Sequence, residues 1–189
     1  MKRNMKTVVN TLLVVLALVT MLSVTAMVSA QKDAEEATET AKTSIDYALP
    51  YPGILPGHPL YPVKMLRDRV MSWFITDPLK KAEFYLLLAD KRFNAGQFLV
   101  NYGKQSLGEQ TISKGEKYFE QAIEMVKTAK KEGKDISPLV DRMEKAALKH
   151  EEILIQILKN GPSDIRTGID STLKTVKSLQ LKVANLNKK

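Results

Sequence analysis

From residue 62 onward, apolar residues recur every three or four positions in blocks separated by proline and glycine. Pro62 suits the first turn of a helix. Val63, Leu66, Val70 and Trp73 follow it at helical spacing, which predicts a short amphipathic helix. Asp77-Pro78 sets an N-cap acceptor before a proline whose missing N–H costs nothing in a first turn. Leu79, Ala82, Leu86, Ala89, Phe93, Gly96 and Val100 then form one stripe. Phe84, Tyr85, Leu87 and Leu88 widen it, so this helix is expected to be the most buried, and Gly103 ends it. A further helix is predicted near Ser106 to Glu132, striped by Ile112, Gly115, Phe119, Ala122, Val126 and Ala129. Its small residues suggest close approach to a neighbour.

Ser137-Pro138 repeats the cap-and-proline start ahead of Leu139, Met143, Ala146, His150, Ile153 and Ile157. Asn160-Gly161-Pro162 stops that helix, and Ser163 is expected to cap the last one, striped by Ile165, Ile169, Thr172, Val176, Leu179, Val183 and Leu186. Each stripe must be buried against the others, and loops of a few residues imply antiparallel neighbours. No segment alternates with period two. The predicted fold is therefore all-α: an elongated antiparallel bundle over residues 51–187, with four long helices and one short N-terminal helix, behind an export segment.

Ahead of the bundle, Pro50, Pro52, Pro56, Pro59 and Pro62 exclude helix and impose an extended, turn-rich lead. Leu55, Leu60 and Tyr61 are expected to dock it on the bundle. Residues 31–50, with Asp33, Glu35, Glu36 and Glu39 among Ala and Thr, are predicted to be a polar linker without the spacing of a calcium loop. Residues 1–30 differ again. Lys2, Arg3 and Lys6 precede Thr7 to Val28, 22 residues without a charge, and Val28-Ser29-Ala30 offers small residues at a cleavage position. A cleaved signal peptide is the leading expectation and an uncleaved membrane anchor through residues 7–28 the alternative. Both put the rest of the chain outside the cytoplasm, secreted or held at the cytoplasmic membrane.

The absence of cysteine excludes disulfides, thiolate metal sites, a cysteine nucleophile and a lipidated N-terminal cysteine. The formal charge of +8 falls to +5 once Lys2, Arg3 and Lys6 are removed, leaving 26 basic against 21 acidic residues. The lysines are interleaved with acids, and no basic run alternates with aromatics, so no nucleic acid is expected as partner. With two histidines there are no paired Glu-x-x-His motifs for a di-iron bundle, and His150-Glu151 lacks a second histidine at position 154. No nucleophile elbow or phosphate loop is present. No cofactor, metal ligand or catalytic residue is expected. His150 alone stands out: it falls on an apolar stripe between Ala146 and Ile153. It is expected to be half-buried and hydrogen-bonded, with a pH- or ligand-responsive role as the second reading.

The segment Leu55-Pro56-Gly57-His58-Pro59-Leu60-Tyr61-Pro62-Val63-Lys64, with Asp68 four residues on, resembles a family of exported bacterial proteins catalogued as domain of unknown function 5667. Asp77-Pro78-Leu79-Lys80-Lys81-Ala82-Glu83, continuing to Leu88-Ala89-Asp90-Lys91-Arg92, is similar to a second block of that family, and Leu148-Lys149-His150 to a third. The resemblance spans roughly residues 52 to 178. It makes Pro56, Pro59, Tyr61, Lys64, Asp68, Asp77 and Pro78 motif residues with a structural role. After Arg92 the family has Leu and then acids, where this chain has Phe93, Gly96 and Gln97. The resemblance implies an exported helical domain, not a reaction. The expected function is a non-enzymatic interaction or structural module of the cell envelope with a protein or envelope partner. An extracytoplasmic ligand or stress sensor and an envelope-polymer hydrolase are the rivals.

Overall fold

The computed structural model describes residues 45–187. The predicted signal or anchor and the linker up to residue 44 lie outside the described residues. Residues from Ile45 onward form one compact unit. Its helices are α1 (Tyr61–Phe74), α2 (Pro78–Asn101), α3 (Gln105–Lys131), α4 (Ser137–Asn160) and α5 (Arg166–Ala184). A 3-10 turn, Ser163–Ile165, runs directly into α5. There is no strand among the described residues.

Local chemistry sets the ends. Asp77 caps α2, its Oδ1 accepting from the backbone N–H groups of Leu79 and Lys80 at 2.9 and 3.0 Å. Its Oδ2 accepts from Lys134 Nζ at 2.6 Å, and that hydrogen bond holds the carboxyl below its usual range. Pro78 occupies the first turn, as its missing donor permits. Gly103 and Gly133 follow α2 and α3 with φ of +76° and +74°, the left-handed conformation that lets the next residue bond back to the last turn. Ser137 departs from expectation: the N-cap is Ile136, and the acceptor is Asp135, whose Oδ1 takes the Ser137 N–H at 3.0 Å. Ser163 likewise opens the 3-10 turn instead of capping a helix.

The long helices form two antiparallel hairpins. In the first, α2 and α3 meet at glycine: a Cβ on Gly96 would lie 2.8 Å from Gly108 O and 2.2 Å from an Ile112 side-chain carbon. The backbones approach where no side chain could fit. In the second, Gln180 Nε2 on α5 donates to Ala147 O on α4 at 3.2 Å. The hairpins stack with like directions side by side. Glu83 and Asp90 of α2 meet Arg142 and His150 of α4, while Glu120 of α3 meets Lys182 of α5. Consecutive α3 and α4 are thus diagonal instead of paired. The short loop predicted an adjacent antiparallel partner. The Gly133 turn carries the chain across the bundle end instead, because α3 buries its stripe on α2 and α5. Phe119, Ile123, Val126, Met143, Leu154 and Ile169 are among the side chains that fill the centre.

The lead is an extended strap. Ile45 N–H donates to Glu152 on α4 at 2.9 Å, and Asn94 Nδ2 on α2 donates to Pro50 O at 2.9 Å. Residues 45–50, read from the sequence as linker, therefore belong to the packed unit. Pro52 and Pro56 are buried and Leu55 half-buried, whereas Leu60, expected to dock, is 55 % exposed.

Candidate functional site

The second motif block places Asp90 and Arg92 two residues apart on α2. That spacing turns the side chains about 200° from each other, so one enters the bundle and the other faces α1. Both are buried.

Asp90 meets His150 inside the bundle. His150 Nε2 lies 2.8 Å from Asp90 Oδ1. The carboxylate only accepts, so Nε2 carries the hydrogen. Asp90 Oδ2 accepts from the Tyr47 hydroxyl at 2.6 Å, which ties the strap to the core. Burial, with the Asp90 charge beside it, holds that phenol well above the usual tyrosine range, so it stays a donor. The imidazole stacks on Phe93 at 3.7 Å between ring centroids and 3° between planes, and meets Phe119 edge-on at 5.5 Å. At 1 % exposure His150 is deeper than the half-buried position expected. Phe93 supplies the stacking face and Gly96 the close approach of α3.

Arg92 holds α1. Its Nη1 donates to the Tyr61 hydroxyl and its Nη2 to Met65 Sδ. The guanidinium also lies over the rings of Tyr61 and Tyr118, at 5.5 and 5.4 Å. Burial raises the Tyr61 phenol, with Tyr118 and Asp68 adding to it against Arg92. Lys64 Nζ donates to Pro52 O and Ile54 O at 2.6 and 3.1 Å, so this motif lysine braces the lead. Burial lowers its amine. Asp68 is 3 % exposed and its Oδ1 accepts from Arg67 Nη2 at 2.7 Å. Pro56 is buried and Pro59 exposed. Asp77 and Pro78 thus form a helix start, and Tyr61 and Lys64, with Arg92, attach lead and α1.

That attachment inverts α1. Its buried positions are Asp68 and Ser72. Of Val63, Leu66, Val70 and Trp73, read as one apolar stripe, Val70 is half-buried, but Val63, Leu66 and Trp73 are 64 %, 60 % and 70 % exposed, and Phe74 is 81 % exposed. Periodicity gave the helix but could not say which face turns inward. The available signal was Tyr61, Met65, Asp68 and Ser72 at their own helical spacing, matched to a basic residue in the second motif block.

Glu116 on α3 was missed altogether. It is 7 % exposed, and its Oε1 has no hydrogen-bond partner. Burial, with Glu120 nearby, pushes its carboxyl up to about 8. Among the described residues no cluster of three or more His, Asp or Glu side chains could hold a metal ion. No described helix is long and apolar enough to cross a membrane.

A family model described as a domain of unknown function (DUF5667) matches residues 53–164, which runs from the lead to the turn before α5. No curated protein and no solved structure matches.

Proposed function

The chain belongs to this family of domains of unknown function, and we propose that it is a non-enzymatic, extracytoplasmic interaction module of the cell envelope whose contact surface is the outer face of α1. The observation that carries the reading is the orientation of that helix. A soluble monomer rarely leaves a contiguous apolar face in water, yet α1 turns polar groups inward and Leu66, Trp73 and Phe74 outward. The family's motif groups support the same reading. Tyr61, Lys64 and Arg92 are engaged in holding lead and helix in this orientation. The export-type pattern of residues 1–30 supports the compartment.

A photoreactive residue at Leu66 or Phe74, compared with one at exposed Lys174 on α5, tests the module in intact host cells. Discrete adducts specific to the α1 positions and recovered with the envelope are expected. Equal labelling from α1 and Lys174 would refute the proposal.

A further inference from the structure

The exposed side of α1 carries one sign of charge. Leu60, Val63, Leu66, Met71, Trp73 and Phe74 are between 45 % and 81 % exposed. Arg69 is exposed on that side, and Arg67, also exposed, is paired at 2.7 Å with Asp68. The helix's single acid, Asp68, is turned inward and 3 % exposed. Beside the helix, Ile54, Leu60 and Val63 line a depression of 360 Å³ together with Lys64, Arg67 and Lys91, with no carboxylate in its wall. An apolar ridge ending in Trp-Phe and flanked by cations has the chemistry of the boundary between acyl chains and anionic headgroups. Long arginine side chains reach headgroups from such a position.

We propose that the outer face of α1 lies on an anionic bilayer surface, with Leu66, Trp73 and Phe74 among the acyl chains and Arg69 and Lys91 at the headgroups. This rests on the reading of α1 as the contact surface and names its partner. A second copy fits less well. Two-fold pairing through this face would set Arg69 against its own copy. A 14-residue helix is also only about 21 Å long and roughly 10–12 Å wide, small beside the roughly 800 Å² that each side of a standard protein interface contributes. A bilayer needs no matching contour and attracts each cation.

Trp73 is the chain's only tryptophan, so the native protein carries its own probe. The full chain is reconstituted in vesicles of phosphatidylcholine alone or mixed with phosphatidylglycerol. In the mixed vesicles Trp73 emission is expected to move to shorter wavelength and to be quenched by brominated acyl chains. Both effects should weaken at high salt. Arg69→Gln should reduce the ratio of immersed to free helix about fivefold, the effect of one charge near an anionic surface, and Leu66→Glu should abolish the shift. Trp73 emission unchanged by phosphatidylglycerol overturns the proposal. So does a shift that follows protein concentration without vesicles, which would assign the face to a second copy. A protein adduct at Leu66 in cells, combined with unchanged emission on vesicles, would overturn the lipid assignment and leave the interaction module standing.

Discussion

Asp90 and Arg92 are both buried charges on one helix, separated by a single residue, and they fasten regions that follow opposite rules. Around Asp90 the molecule is an ordinary helical interior: apolar stripes meet, and the one polar group is enclosed by a ring stack and two donors. Around Arg92 the buried surface is polar and aromatic apart from Met65, and Val63, Leu66, Trp73 and Phe74 of α1 are exposed to solvent. Inside the bundle, burial of apolar area determines orientation. Beneath α1, a single guanidinium with its cation–π and hydrogen-bond contacts does so, against the hydrophobic preference of the helix. Such an orientation persists only if something other than water covers the outer face, or if the polar attachment outweighs what exposure costs.

The largest effect should come from breaking the inner assembly. Asp90→Ala leaves the His150 Nε2 hydrogen and the Tyr47 hydroxyl without their acceptor inside the bundle. A loss of about 3 kcal/mol is expected from denaturant unfolding, the usual scale for stripping one partner from a buried pair. A loss below about 1 kcal/mol would mean that the strap and helices reorganise freely around the site.

Next in size is Glu116, a buried carboxyl with neither assembly to satisfy it. Its folded value, about 8, lies above the ordinary 4.5. The folded state therefore keeps a proton that the unfolded state has released between those values. Stability should fall as pH rises through that window and level off above pH 8. Glu116→Gln cannot titrate and should remove this decline, with a gain over wild type of about 2 kcal/mol at pH 8, discounted for water reaching the site. Unfolding curves at pH 5 and pH 8 read it directly. Identical pH dependence in the two proteins would show that Glu116 finds water or a partner on opening.

The smallest global effect, and the sharpest test of the comparison, is Arg92→Met. It removes the donors to Tyr61 and Met65 while keeping an apolar stem beside Tyr118. The bundle should lose less than about 1 kcal/mol, because α1 lies outside its core. Hydrogen exchange in residues 61–74 should accelerate markedly while α2–α5 stay protected. If Arg92→Met unfolds the whole domain as readily as Asp90→Ala, the two regions form one cooperative unit and the contrast between them fails.

Several details of the site are legible in the sequence. The Asp77-Pro78 start requires only an acceptor and a residue without an N–H, both local properties. His150 was singled out because a titratable ring interrupts an apolar stripe. Its partner was not, because Asp90 lies sixty residues earlier and shares no sequence spacing with it. Glu116 escaped notice because it sits beside Gly115 on the edge of a stripe, and period alone does not tell an edge position from a solvated one.

The sequence by itself determined that residues 61 to 186 form helices with polar turns between them, that α2 and α3 could approach closely at glycine, and that the proline-rich lead is extended. Those properties follow from dihedral limits, caps and a 3.6-residue period acting over a few neighbouring positions. Only the tertiary structure decided that α3 and α4 lie diagonally, that the strap reaches back to Ile45, and that α1 turns its apolar face outward. Each of these depends on which surfaces compete for burial once all helices are present. The orientation of α1 follows from Arg92 and Tyr118, which lie on other helices and which no pattern within α1 contains.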